Sequence, residues 1–187
     1  ARRLDAPCHV IPHGVDLERF TPRPQRDAQN DLGWDHDARH VLFPYPTGRE
    51  VKDFPRAKRV VDDARERVDA PVELQTVSGV PHDRMSVYMN AADALLVTSR
   101  REGSPNSVKE AMACNLPVVS TDVGDVRERL VGVTHSHVCT SDEELVAALA
   151  TTLNAGERSD GREAAREVSV ERTTERLLGV YQSVLSD

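Results

Sequence analysis

Glu102 and Glu110 stand with seven residues between them, bracketing Gly103-Ser104-Pro105-Asn106-Ser107-Val108-Lys109. Gly103 permits a sharp turn and a close backbone approach. Ser104 is a good helix N-cap and Pro105 a good first helical residue, so a helix is expected to begin here. Its start would leave the N–H groups of Asn106, Ser107 and Val108 free at the positive end of the helix dipole. That is a natural anion site, and a diphosphate would fit it. Glu110 lies about five residues past Pro105, roughly 7–8 Å along the axis at ~1.5 Å per residue. This is about the step from a diphosphate to the ribose of a nucleotide, whose two hydroxyls a carboxylate can accept. Glu102 would lie on the other side of the phosphates, where a sugar would sit. Two carboxylates around an anion need cations nearby. The loop after Val41-Leu42-Phe43 offers Arg49 and Lys52, which could neutralise a departing diphosphate with side chains alone.

Such a constellation needs a rigid frame, and the pattern of apolar residues supplies one. Strands are expected at His9-Val10-Ile11, Val41-Leu42-Phe43, Val72 to Val77, Ala94-Leu95-Leu96-Val97, Val118-Val119 and Val138-Cys139-Thr140. Helical spacing or capping residues mark 54–68, Asp83 to Ala92, 105–115, Asp125 to Val131 and the tail. Ser141 and Glu144 form a capping box for a helix over 142–154, and Leu32-Gly33 closes an earlier short one. Strand and helix alternate with short connections. This predicts an α/β fold: a Rossmann-like parallel sheet with helices on both faces and ligands at the carboxyl ends of its strands. The loops after Phe43, Val77, Val97 and Val119 are the places to look.

Composition narrows the class. The chain has 187 residues, enough for one good-sized domain, with 39% hydrophobic and 29% charged residues. Aromatics make up only 4%, so the core must be built from Val, Leu and Ala. A net charge of −7 argues against a broad nucleic-acid surface. Cys8, Cys114 and Cys139 form no Cys-x-x-Cys pair, which suits a reducing compartment. The sequence shows no signal peptide and no apolar run of membrane-spanning length. Because it opens Ala1-Arg2-Arg3 rather than with Met, it is read as a piece of a longer protein.

The run EGSPNSVKEAMACNLPVVSTDVGDVRE resembles the family-4 group of GT-B glycosyltransferases. So do VIPHGVDLERFTP, LFPYPTGREVKDFPRA and MSVYMNAADALLVTS, in that order, so that the likeness covers nearly the whole chain. The resemblance implies the C-terminal, donor-binding half of a retaining, metal-independent enzyme, with residues 1–187 forming one nucleotide-sugar-binding domain. It implies that Glu102 contacts sugar hydroxyls and that Glu110 holds the ribose. Ser104, Asn106, Ser107 and Val108 would face sugar and phosphates, Arg49 and Lys52 the diphosphate, and Val80 the base. The acceptor (a sugar, lipid or small molecule) would be held by an N-terminal domain to which nothing here corresponds, and helix 169–187 would pack back toward it. No cofactor or metal is implied. The setting would be cytoplasmic, with a peripheral contact of the whole enzyme at the inner face of the membrane left open. Departures are Ser104-Pro105 where Phe-Gly is common, a short Gly48–Lys52 loop, and Asp125 where a second Gly often follows Gly124.

Plainer readings apply elsewhere. Asp35-His36-Asp37 mimics a metal motif of another fold but reads as a solvated loop, and His135-Ser136-His137 as an edge-strand surface. His13 fills a turn, Lys109 points off its helix into solvent, and Met85 and Met89 belong to the core. The rival functions are a non-catalytic nucleotide-sugar-binding module, a nucleotide-sugar epimerase and a phosphorylase.

Overall fold

The computed structural model describes residues 8–186. Five parallel strands form one sheet in the order β2-β1-β3-β4-β5: β1 Arg39–Phe43, β2 Val72–Thr76, β3 Ala94–Val97, β4 Val118–Thr121 and β5 His137–Cys139. The connections run through α2 Phe54–Arg65, α3 His82–Ala91, α4 Asn106–Ala113 and the short α5 Val126–Arg129. Before β1 lies α1 Gln25–Leu32; after β5 come α6 Asp142–Ala155, α7 Gly161–Ala165 and α8 Val170–Ser186.

The central strand β3, Ala94-Leu95-Leu96-Val97, is apolar and buried at every position because both faces are covered, whereas the edge strand β2, Val72-Glu73-Leu74-Gln75-Thr76, is mixed and partly exposed. Side chains alternate between faces. Leu42, Leu95 and Val118 stand side by side in register and pack with α3 and α4. Val41, Phe43, Leu96 and Val119 turn the other way, against α2 and α6. The chain leaves β1 for one edge of the sheet and returns to β3 on β1's other side. The strand order therefore reverses between β1 and β3, and a crevice opens at their carboxyl ends.

Local signals explain several boundaries. Gly33 closes α1 in the left-handed conformation (φ 67°). Ser141 caps α6 by accepting from the Glu144 amide, while the Glu144 carboxylate reaches the Thr140 amide and hydroxyl. Other boundaries differ from the sequence reading. No strand forms at His9-Val10-Ile11, and Val10 is 93% exposed. Pairing there is limited to a bridge between Val15 and Ser169, with Val15 N–H donating to Val168 O and Val170 N–H to Val15 O. The helices expected over 54–68, 105–115 and 125–131 are each shorter than that, at Phe54–Arg65, Asn106–Ala113 and Val126–Arg129. On α8, Leu177, Leu178, Tyr181, Val184 and Leu185 are all exposed. No helix among the described residues is long and apolar enough to cross a membrane.

Candidate functional site

The loops after β1 and β3 meet at the crevice and are sewn together. The buried Thr98 hydroxyl donates to the carbonyls of Lys52 (3.0 Å) and Asp53 (3.2 Å), and Arg100 N–H donates to Val51 O. A 3-10 turn at Glu50–Lys52 ends at Asp53, whose φ of 52° is a conformation that Asp tolerates better than most residues. The Asp53 carboxylate then caps α2 and pairs with Arg100 at 2.9 Å.

This bracing fixes Lys52, which is only 6% exposed. Its ammonium lies 2.5 Å from Glu102 Oε1 and 3.8 Å above the centre of the Tyr45 ring. Tyr45, buried, shares a hydrogen bond with the Ser107 hydroxyl in the first turn of α4. The Tyr45 phenol is held well above its ordinary pKa, first by burial and then by the negative charges of Glu102 and Glu110. The Ser107 hydrogen bond and Arg49 act against this. One buried phenol thus feels both glutamates and the nearest loop arginine. Arg49 itself is exposed and lines a recess of about 300 Å³ with Thr47, Asp53 and Arg100, to the side of the Lys52–Glu102 pair.

The start of α4 corrects three expectations. Pro105, not Ser104, occupies the N-cap position, and no side chain caps the helix. The Ser104 hydroxyl instead donates to Asp125 Oδ2 (2.9 Å), which also pairs with Arg129 at 2.9 Å. Val108 N–H is not free, because it donates to Pro105 O at 3.2 Å. The amides of Asn106 and Ser107 have no acceptor among the described residues, so the anion-binding end of the helix is confined to those two. Lys109 is the third correction: it is 1% exposed and its ammonium donates to His13 O (2.6 Å) and Ser104 Oγ (3.2 Å). Burial lowers its pKa, and the charge of Asp125 offsets part of this. Gly103 accepts from the Asp125 amide at 3.1 Å, and a Cβ on Gly124 would meet Gly103 O at 2.3 Å. The turn after Glu102 is therefore backed directly by the turn before α5.

Glu110 lies one and a half turns into α4, in a cleft of about 290 Å³ lined also by Arg19, Phe20, His82, Asn106 and Lys109. Its carboxylate is 2.9 Å from His82 Nε2, and Arg19 Nη1 is 2.9 Å from His82 Nδ1. Val80 packs partly buried against the core beneath this loop, and His82 rather than Val80 lines the cleft. On the other side of the α4 start, a larger cleft of about 620 Å³ is bounded by His13, Gly103, Ser104, Asp125, Arg129 and Arg176.

The structure thus brings Glu102, Lys52, Ser107 and Tyr45 together, sets Glu110 in a neighbouring cleft and leaves Arg49 on the rim. Sequence reasoning missed Tyr45, His82, Arg19 and the buried state of Lys109. Tyr45 and His82 carried a positional signal, since each follows a strand whose loop was marked, but nothing in their spacing singled them out. The histidine pairs elsewhere are ordinary: His135 meets Glu157 at 3.1 Å, and residues 35–37 are exposed.

A family model described as "Glycosyl transferases group 1" matches residues 55–155. The D-inositol 3-phosphate glycosyltransferase of Saccharomonospora viridis is 29% identical over 97% of this chain and 51% of its own length. Sucrose-phosphate synthase from Thermosynechococcus elongatus superposes on 95% of the chain and 53% of its own, with a TM-score of 0.75 at 19% identity. Anabaena HepE in complex with UDP and glucose covers 94% of the chain and 57% of its own, with a TM-score of 0.66 at 15% identity. The chain spans 34–52% of the length of the curated relatives it matches.

Proposed function

The chain belongs to the glycosyl transferases of group 1, and from that membership we propose that it is the donor-binding C-terminal domain of an enzyme that moves a glycosyl group from a nucleotide diphosphate sugar to an acceptor with retention of configuration. The observation that carries this reading is the start of α4. Two free amides, Asn106 and Ser107, lie between a glutamate paired to a buried lysine and a second glutamate set in a cleft.

In this proposal the diphosphate takes the Asn106 and Ser107 amides and draws Lys52 from Glu102. That frees Glu102 for sugar hydroxyls, with Arg49 closing over the phosphates from the rim. Positive charge fixed in place before the bond breaks stabilises the leaving diphosphate as it forms. Lys52, Arg49 and the helix dipole supply that charge, so the proposed chemistry asks for no metal. Glu110 holds the ribose, and Gly103, Ser104, Pro105 and Val108 shape the pocket around sugar and phosphates. Val80 sits behind the base-side loop as packing. HepE's complex with UDP and glucose supports a nucleotide sugar as the ligand class. The exposed apolar side chains of α8 suit a helix that packs back on an acceptor-holding domain. Three unpaired cysteines, two of them buried, suit a cytoplasmic setting.

Thermal shift with UDP, GDP and ADP sugars tests the donor assignment. A ligand that binds only the folded state adds about 2.7 kcal/mol at 100 times its Kd. One nucleotide class is expected to stabilise the chain, and Glu110→Ala to remove most of that gain. Absence of stabilisation by all three classes would overturn the proposal. Retention is read from the anomeric NMR signal of product made by the two-domain enzyme.

A further inference from the structure

The cleft around Glu110 holds a hydrogen-bond chain with a fixed direction. Arg19 carries only donors, so its Nη1 at 2.9 Å from His82 Nδ1 requires a bare lone pair on that nitrogen. The ring proton then lies on Nε2, which donates to Glu110 Oε1 at 2.9 Å. One neutral tautomer satisfies both contacts. The imidazolium cannot, because its Nδ1–H would point at a guanidinium N–H and place cation against cation. Phe20 meets the imidazole edge-on, with ring centroids 5.3 Å apart, and holds its plane.

We infer that His82 is a positioning residue for Glu110: in its neutral form it aims the carboxylate at the ribose diol, and protonation of His82 weakens nucleotide-sugar binding. This rests on the reading of Glu110 as the ribose ligand. Among the described residues His82 is the sole hydrogen-bond partner of the Glu110 side chain, which is 13% exposed and would otherwise swing free. With Oε1 engaged by Nε2–H, the other oxygen is presented to the cleft. The imidazolium would instead hold Glu110 as an ion pair in competition with the ribose hydroxyls.

The charges around the ring come from three elements. The turn before α1 brings Arg19, with Asp16 at 3.8 Å from its Nε. From α4 come Glu110 and Lys109, the latter turned away onto His13 O. His82 opens α3, where Asp83 and Arg84 follow it. Glu110 and Asp16 favour the imidazolium; Arg19 and Lys109 oppose it. Histidine is the side chain whose charge ordinarily changes between pH 5 and 8, and binding is followed across that range.

The test is calorimetry on the chain with UDP-glucose, GDP-mannose and ADP-glucose between pH 5.5 and 8, where their diphosphate diesters do not titrate. Wild-type affinity for the preferred donor should fall on acidification. His82→Ala should bind about tenfold more weakly at pH 8, the scale of one hydrogen bond to a charged group, with a flattened pH profile. His82→Gln, whose amide N–H can replace Nε2–H, should recover most of the loss and stay flat. Arg19→Met should move the pH at which affinity falls upward, a displacement that a purely structural histidine would not show. A His82→Ala chain with wild-type affinity and pH profile would overturn the inference. Glu110→Gln separates the two levels. If it binds weakly while His82→Ala matches wild type, the ribose reading stands and the His82 role falls; if Glu110→Gln binds like wild type, both fall.

Discussion

Lys52 and Glu102, fifty residues apart in sequence, meet at 2.5 Å at the point where the strand order reverses. Their side chains are 7% and 15% exposed, so each would be an uncompensated charge without the other. The proposed donor site is thus self-neutralised when empty, and the diphosphate must compete with a carboxylate for the same ammonium.

A double-mutant cycle measures that pairing. Lys52→Met and Glu102→Gln should each lower unfolding free energy by about 1–3 kcal/mol, since each leaves one charged partner poorly satisfied. The double variant should be less destabilised than the sum, with a coupling on the order of 1–2 kcal/mol in urea titration. Strict additivity would mean that the contact contributes no net stability.

Gly124→Ala should be more harmful than Gly132→Ala, although both glycines have positive φ, 56° and 76°. A methyl at 132 meets open space and carries only the left-handed cost, about 1–2 kcal/mol. A methyl at 124 would lie 2.3 Å from Gly103 O, so the turn after Glu102 has to move as well. Denaturant unfolding should show the difference, and calorimetry should show weaker donor binding for Gly124→Ala alone.

The buried thiols predict the alkaline limb of stability. Burial pushes Cys114 up to about 12 and Cys139 up to about 11, with Arg158 acting against the first shift and Glu144 adding to the second. Above an ordinary thiol pKa of about 8.5, the unfolded chain has lost protons that the folded chain keeps. Stability therefore falls as pH rises through that window, by up to about 1.4 kcal/mol per pH unit for each thiol. Lys109, lowered chiefly by burial, contributes with the opposite sign. Comparison with a Cys114→Ala/Cys139→Ala variant isolates the thiols. At pH 8 a thiol reagent should modify the exposed Cys8 and spare the other two until the chain unfolds.

The layered architecture was legible because its signals are local. Ala94 to Val97 is apolar at every position and short, as a strand buried on both faces is. Ser141 and Glu144 mark the start of α6 within a few residues. The errors share a different cause. Val10 and Ile11 look like a strand, but a strand exists only where a neighbour offers a ladder, and the segment passes beside α8 instead of the sheet. Ser104 has the chemistry of a cap, yet its hydroxyl is claimed by Asp125, twenty-one residues away. Lys109 is buried because the path of residues 9–14 brings a carbonyl over it. His82 is bound to Arg19 and Glu110, at separations of 63 and 28 residues, which no periodicity could disclose. The scaffold was written in neighbouring residues, while the wiring of the cleft depends on where distant turns come to rest.

Gly14 passes so near α8 that a Cβ there would lie 2.5 Å from Val170 Cα, and Val15 is bridged to Ser169 just beside it. A pull on residues 8–14 would therefore be borne first by the base of α8 and only afterwards by β1. The two segments form a single mechanical joint. In an optical trap the chain should yield there before its sheet tears, and a bulkier residue at position 14 would pry the joint open without touching a strand.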